Sequence, residues 1–236
     1  MRQLPLAITP PTPVGFDSLV VGPNAQAVQH VRQLALPAAP VYLWGPSGSG
    51  KTHLLRALAA ERQALGERVG WFSAEQALPW AFDDGWTLIV IDHVDALDAE
   101  RQQAAFTLFV EAGSHAVQWA AAGQLPPVDL PLRDDLRTRL GWGHVFAMQA
   151  LAEDDARAAL RREADRRGIW LSDEVMGYVL THFQRDLKHL MKLLDRLDEF
   201  ALAESRHVTV PLLRKMLAEP GVLADVPAGV RAEVPT

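Results

Sequence analysis

The segment GPSGSGKT, residues 45–52, constrains the fold of this chain more than any other. It fits the P-loop pattern GxxxxGK[ST] in full, follows the apolar run VYLW and opens the amphipathic segment THLLRALAAERQAL. In a P-loop, backbone N–H groups of a glycine-rich turn surround phosphates at a helix N-terminus, so a strand must precede the turn and a helix must follow it. Both are predicted here, and we expect a nucleotide-binding α/β domain. A plain glycine-rich turn is the alternative explanation.

Apolar runs alternate with helical patterns up to residue 150. We predict a helix over residues 23–35, strands over 41–44, 69–73, 88–92, 116–122 and 144–148, and helices after the P-loop and over 100–113. Gly113 is expected to be the C-cap of the last of these helices. Fully apolar strands alternating with helices predict an α/β fold, in which helices sandwich a parallel five-stranded sheet.

Strand patterns stop after Ala150, and four helical patterns follow. The first has acids in its opening turn and Gly168 after its last arginines, and Ser172 is expected to cap the second. We therefore predict four segments: a flexible arm over 1–15, a nucleotide-binding core over 16–150, a small helical domain over 151–218 and a disordered tail over 219–236.

Composition narrows the class of protein. The 236 residues suffice for a larger and a smaller domain, and the net charge of −6 argues against coating of nucleic acid by bulk electrostatics. The absence of cysteine excludes disulfides, cysteine-bound zinc and thiol catalysis. No window approaches the roughly 20 apolar residues of a membrane span, and the N-terminal apolar run is too short for a signal peptide. We therefore expect a cytoplasmic protein that has no membrane partner.

The P-loop predicts which residues hold a phosphate chain, and ADP or ATP with Mg²⁺ is the expected ligand. Lys51 is predicted to meet the β- and γ-phosphates, and Thr52 to bind the metal. The predicted phosphate-binding residues are Gly45, Pro46, Ser47, Gly48, Ser49, Gly50, Lys51, Thr52 and His53.

The run LIVID is predicted to bring a second ligand, a carboxylate, to the metal. Asp92 ends this apolar segment and is predicted to bind Mg²⁺, although an aspartate that caps the next helix is the alternative. Many ATP-driven enzymes have a glutamate next, which polarises the attacking water, but His93 follows here. Asp95 is the remaining candidate acid, and such an acid more often only begins a helix.

The order of these parts resembles the AAA+ ATPases and, within them, the DnaA branch. The segment FDSLVVGPNA, residues 16–25, is similar to the one that leads into the DnaA-type nucleotide site, which implies that Val20, Val21 and Gly22 line an adenine pocket. The segment RDDLRTRLGWGHVF, residues 133–146, resembles the one that carries the arginine finger, which implies that Arg139 reaches the γ-phosphate of a neighbour's nucleotide. Core packing for the valines and a solvated arginine are the alternatives.

The helical domain resembles the AAA+ lid. Its segment FQRDLKHLMKLLDRL is similar to the helix with the second sensor, normally an arginine, and Lys188 stands at that position. Lysine keeps the charge and loses the planar fork, and it can equally be a solvated lysine. Gln124 stands where the first sensor is usually a polar or acidic residue.

The segment QLPLAI, residues 3–8, resembles the motif that docks into the replication sliding clamp, the polymerase beta subunit. The resemblance implies clamp contacts by Gln3, Leu4, Leu6 and Ile8, while Ala7 departs from the motif. A disordered leader is the alternative. DnaA continues into a helix-turn-helix domain for which this chain leaves no room, so DNA is expected to be reached indirectly, through the clamp.

From residue 3 to about 218 the chain thus resembles regulatory members of the DnaA family. The resemblance implies a regulator of replication initiation that binds the DNA-loaded clamp and stimulates ATP hydrolysis by DnaA, with weak turnover in its own site. The alternatives are an AAA+ loader or remodeller that hydrolyses ATP itself through Asp95, and an adaptor that binds nucleotide only for stability. A small-molecule P-loop kinase explains neither the lid nor the Arg139 segment. Head-to-tail homo-oligomers are compatible with a P-loop and an arginine finger.

Overall fold

A computed structural model describes residues 15–35, 37–183, 187–204 and 206–218. Its chain contacts form two compact units, which adjoin in sequence at Ala150 and Leu151. The clamp-motif residues Gln3, Leu4, Leu6 and Ile8 lie outside the described residues, as do the predicted arm up to residue 14 and the predicted tail over 219–236.

The first unit is built on a five-stranded parallel sheet with the order β2-β3-β4-β1-β5. The strands are β1 (Val41–Trp44), β2 (Arg68–Phe72), β3 (Trp86–Ile91), β4 (Gln118–Gly123) and β5 (His144–Ala147). The predicted fold class is confirmed, with strand bounds that differ by up to two residues at most ends.

Both faces of the sheet are covered, as the apolar strands predicted. Alternate residues of one strand belong to different clusters: Ile89 and Ile91 pack in one, while Leu88 and Val90 pack in the other. This two-residue period is the geometry of a pleated strand buried on both sides. The covering helices are α1 (Ala25–Arg32), α2 (Lys51–Ala64), α3 (Ala99–Ser114) and α4 (Asp134–Leu140), and short 3-10 turns lie at Phe16–Ser18, Gly22–Asn24, Val94–Ala96 and Pro127–Asp129.

The end of α3 corrects one prediction. Gly113 lies inside the last helical turn and is not the C-cap, which is His115. The next residue, Ala116, takes the left-handed conformation with φ 55°, and the Val117 N–H donates to the Ala112 carbonyl at 2.9 Å. This is the Schellman arrangement, usually built with glycine at the left-handed position. Strand β4 therefore begins two residues later than predicted, at Gln118.

The second unit is helical, with α5 (Glu153–Arg166), α6 (Asp173–His182), α7 (Leu187–Glu204) and α8 (Val210–Leu217). The predicted cap is present, because the Ser172 hydroxyl accepts the Val175 N–H at 3.3 Å. Gly168 follows α5 with φ 72°. The helices bury a common apolar core that includes Leu160, Met176, Leu190, Leu194 and Leu213. Among the described helices, none combines the length and the apolar character of a membrane span.

Candidate nucleotide site

Three segments with predicted roles meet at one edge of the sheet. The P-loop follows β1, Asp92 follows β3, and Gln124 follows β4, which lies between those two strands. The strands are parallel, so all three segments leave the same carboxyl edge, where ligands of open α/β sheets bind.

The backbone of the P-loop depends on glycine. Gly45, Gly48 and Gly50 have φ values of 148°, 77° and 92°, which residues other than glycine rarely adopt. A Cβ atom on Gly45 would lie 2.1 Å from the Met148 carbonyl oxygen, inside any acceptable contact. Gly50 is the N-cap of α2, so the turn delivers its N–H groups at the positive end of that helix.

Lys51 lies within this turn. Its side chain is 9% exposed, and Nζ donates to the carbonyls of Gly45 and Pro46 at 2.8 Å each, with the Ser49 hydroxyl 3.3 Å away. The ammonium group is therefore held among loop atoms, beside the N-terminus of α2. Thr52 follows it in the first turn of the helix and is half-buried.

Asn24 fixes the P-loop from outside, and sequence reasoning missed it. Its buried amide donates to the carbonyl of Ser49 at 3.4 Å and to that of Gln149 at 2.9 Å, while its Oδ1 accepts the Gln149 N–H at 2.8 Å. One side chain thus joins the turn before α1, the P-loop and the segment after β5. The sequence offered one signal for this role: Asn24 is a polar residue that stands between Pro23 and the apolar face of α1.

His53 connects α2 to the first 3-10 turn. Its Nε2 lies 3.0 Å from the Ser18 hydroxyl, which itself donates to the Gly15 carbonyl at 2.8 Å. Since the hydroxyl hydrogen is used there, the His53 Nε2–H is the donor to Ser18. Burial lowers the pKa of His53, and the nearby Arg56 lowers it further, against the Gly15 contact.

Asp92 is buried and oriented by the residue that follows it. Its Oδ1 accepts the His93 N–H at 3.0 Å, and Oδ2 lies 3.3 Å from the His93 ring Nδ1. His93 takes a left-handed conformation with φ 54° and ψ 49°, and its side chain is 59% exposed. The Asp92 carboxylate and the Thr52 hydroxyl are hard oxygen donors of the kind that Mg²⁺ prefers, so this donor set fits the predicted metal.

Asp95 has a partner after the neighbouring strand. Its Oδ1 accepts the backbone N–H of Gln124 at 2.9 Å, and the next carbonyl, of Leu125, accepts the Tyr42 hydroxyl at 2.7 Å. Burial and the charge of Asp95 raise the pKa of Tyr42. A Cβ on Gly123 would lie 2.4 Å from the Tyr42 oxygen and 3.0 Å from Asp95 Oδ1, so these contacts require glycine there. Catalysis by Asp95 stays a prediction.

Two further predicted groups stay predictions. Val20 is half-buried and Val21 is 38% exposed, ahead of the turn at Gly22–Asn24. Lys188 lies in α7 of the second unit, and its side chain falls outside the described part of the chain.

Arg139 lies in the last turn of α4 and is held by aromatic rings. Its guanidinium carbon is 3.7 Å from the centroid of Trp142 and 5.7 Å from that of Phe109. The helix's other arginine, Arg137, pairs instead with Asp134 at 2.7 Å. Over the described ranges, no carboxylate forms an ion pair with Arg139.

A parallel P-loop sheet followed by a helical lid defines the AAA+ class. Similar solved folds include domain III of DnaA from Thermotoga maritima, with a TM-score of 0.74 and 20% identity over 89% of this chain and 98% of that one. A replication initiator DnaA bound to AMPPCP and single-stranded DNA has a TM-score of 0.64 and 21% identity, over 84% of this chain and 69% of that one. The Holliday junction branch migration motor RuvB of T. maritima has a TM-score of 0.60 and 16% identity, over 81% of this chain and 68% of that one.

Family models divide the chain in the same order. Residues 12–83 match the bacterial DnaA ATPase domain, and residues 153–217 match the lid domain of Hda. Both matches are consistent with an Hda-type, DnaA-related protein, which is the resemblance that the sequence predicted.

Proposed function

We propose that this chain is a nucleotide-binding regulator of replication initiation. It binds the DNA-loaded sliding clamp, meets ATP-bound DnaA through its AAA+ core and stimulates hydrolysis of DnaA's ATP with Arg139. DnaA is left in its inactive ADP-bound form.

The state of Arg139 is the observation that carries this proposal. An arginine finger must extend across an interface to a neighbour's γ-phosphate, and such a residue contributes about 10³–10⁵ in kcat. An ion pair would oppose that extension, whereas Arg139 rests on the rings of Trp142 and Phe109. The match to an Hda lid after a match to a DnaA ATPase domain supports the same partner.

The chain's own nucleotide has a supporting role in the proposal. ADP or ATP would be held by the P-loop glycines and Lys51, and Thr52 and Asp92 would bind Mg²⁺. Val20 and Val21 would contact the adenine base, and Lys188 would act as second sensor. The similar DnaA structure bound to AMPPCP supports a nucleotide at this edge of the sheet. Weak turnover is expected because His93 stands where a water-polarising glutamate is common, and because Asp95 already accepts the Gln124 N–H.

The clamp is the second partner of the proposal. It rests on the segment QLPLAI, in which Gln3 supplies an amide for a hydrogen bond and Leu4, Leu6 and Ile8 supply apolar side chains. DNA is reached through the clamp, and copies of this chain can also meet head-to-tail.

The test is hydrolysis of radiolabelled ATP preloaded on DnaA, with DNA-loaded clamp, with and without this protein. We expect stimulation by the wild type, loss of at least about 10³-fold in Arg139→Ala and little change in the matched control Arg137→Ala. A Gln3→Ala/Leu4→Ala/Leu6→Ala variant is expected to lose the stimulation in this assay, because it no longer binds the DNA-loaded clamp.

Full stimulation by Arg139→Ala would contradict the finger and leave a nucleotide-stabilised adaptor. ATP turnover by this protein alone, abolished in Asp95→Asn, would instead assign the chemistry to its own site.

A further inference from the structure

Trp142 is a large apolar side chain that remains 61% exposed, and neither the fold nor the proposed function explains it so far. It follows Arg139 by three residues, in the turn that ends α4. The backbone N–H of Trp142 donates to the Arg139 carbonyl at 3.2 Å, and the backbone N–H of Gly141 donates to the Thr138 carbonyl at 3.1 Å. Leu140, between them, is 1% exposed and anchors the turn in the core.

The backbone of this turn therefore brings the two residues within reach of each other, and their rotamers make the contact. The resulting separation of 3.7 Å between the guanidinium carbon and the ring centroid is a face-on cation–π contact. Phe109 of α3 contributes a second ring at 5.7 Å. Arg139 is thus restrained by two rings of its own unit.

The kind of restraint decides what the guanidinium can still do. A carboxylate would neutralise its charge and occupy donors at its edge, as Asp134 does for Arg137. A ring contacts only the face of the group and leaves its N–H donors in the plane available for a phosphate. Stacking therefore orients the arginine without consuming the hydrogen bonds that an arginine finger uses.

We propose that Trp142 is the positioning residue of Arg139: its indole holds the guanidinium oriented and charged, ready for the γ-phosphate of the partner's nucleotide. This inference rests on the proposed function. It assigns to Trp142 an effect on the hydrolysis step rather than on the assembly of the complex, because the indole acts through Arg139.

The first experiment measures single-turnover hydrolysis of ATP on DnaA, with DNA-loaded clamp, across a concentration series of each variant. Trp142→Leu is expected to lower the maximal rate constant about three- to thirty-fold, the range of a lost cation–π contact, with an unchanged half-saturating concentration. Trp142→Phe, which keeps an aromatic face, is expected to recover most of the rate. Trp170→Leu is the matched control, because Trp170 is 73% exposed and lies under no cation within the described ranges. It should stimulate like the wild type.

The second experiment observes the contact directly. Protons of a guanidinium above an indole are shifted upfield by the ring current, so the Arg139 Nε–H resonance should be displaced in ¹⁵N-arginine spectra. Arg139→Lys assigns this resonance by its loss. Trp142→Leu should move it to the range of solvated arginines, and Trp142→Phe should retain part of the displacement.

The outcomes separate this inference from the proposed function. Inactive Arg139→Ala beside fully active Trp142→Leu would overturn the positioning role alone, as would equal rates for Trp142→Leu and Trp142→Phe. A raised half-saturating concentration with an unchanged maximal rate would make Trp142 an assembly contact and overturn the inference too. Full activity of Arg139→Ala would overturn both proposals.

Discussion

The P-loop and the end of α4 hold their charged groups in opposite ways. At the P-loop, the backbone sets the geometry: three glycines have positive φ values, the Met148 carbonyl leaves no room for a Cβ on Gly45, and Lys51 is buried among loop atoms. At the end of α4, side-chain contacts restrain Arg139: the exposed ring of Trp142 and, further away, the ring of Phe109.

This difference matches the two tasks that we assign to the regions. A site that holds its own nucleotide benefits from a rigid frame, because groups that are already ordered lose less entropy on binding. A group that acts on a partner must be oriented and still able to reach outward, so a modest, directional contact suits it. The comparison therefore predicts that stability depends on the first region and that action on a partner depends on the second.

Gly45→Ala should break the comparison most strongly. The added Cβ would lie 2.1 Å from a backbone oxygen at a φ of 148°, so we expect a loss of about 4 kcal/mol in the unfolding free energy. Arg139→Ala should lose less than about 1 kcal/mol. Urea unfolding followed by tryptophan fluorescence measures both, because every tryptophan except Trp170 precedes Leu151. Equal losses would contradict the distinction.

Asn24→Ala should have the next largest effect. It removes three hydrogen bonds and leaves the Gln149 N–H and the Ser49 carbonyl without this partner, which costs about 2–3 kcal/mol. The exposed Gln26→Ala, two residues further along and in α1, is the matched control and should stay within about 0.5 kcal/mol of the wild type. The denaturant midpoints of the two variants are compared. Similar midpoints would mean that the hydrogen bonds of Asn24 contribute little to the free energy of unfolding.

Two substitutions at the end of α3 measure the free-energy cost of backbone conformation away from either region. Ala116→Gly relieves a left-handed alanine, and Gly113→Ala removes a glycine from a helical turn where a Cβ meets nothing within 4 Å. Each should stabilise the chain by about 1 kcal/mol. A thermal midpoint that falls in Ala116→Gly would show that the left-handed cost applied to Gly45 is overstated, and a midpoint that falls in Gly113→Ala would contradict the gain in helix propensity.

The last prediction concerns pH. Burial lowers the pKa of His53, and burial together with the nearby His144 lowers the pKa of His30, so both are neutral in the folded chain at pH 7. Below about pH 6.5 the unfolded chain binds protons that the folded chain refuses, so stability should fall as the pH falls. Unfolding free energies between pH 7.5 and about 5.5 test this, and the double variant His30→Gln/His53→Gln should give a flatter slope.

The sequence predicted much of the fold because its signals are local. The P-loop pattern, the β-branched run before Asp92 and the Ser172 cap each act within a few neighbouring residues, and the corresponding elements are present. The end of α3 was predicted wrongly because glycine is the usual left-handed residue, while this helix uses Ala116 and keeps Gly113 helical.

The parts that sequence reasoning missed depend on distant partners. Asn24 contacts Gln149, 125 positions away in sequence, and Asp95 accepts the N–H of Gln124, 29 positions away. Hydrophobic periodicity predicts neither contact. The tryptophan after Arg139 was recognised as part of a pattern, yet its stacking on that arginine is a matter of rotamers and not of spacing.

The segment after β4 is tied at two consecutive residues, Gln124 and Leu125, by side chains that come from either side of it. Asp95 reaches it from the turn after β3, and Tyr42 reaches it from β1. A displacement toward one neighbour would stretch the hydrogen bond to the other, so in mechanical terms the segment is a strut braced from both flanks. The backbone at Gln124 and Leu125 therefore ties together the ends of three strands, and a sensing role of Gln124 would rest on its side chain alone.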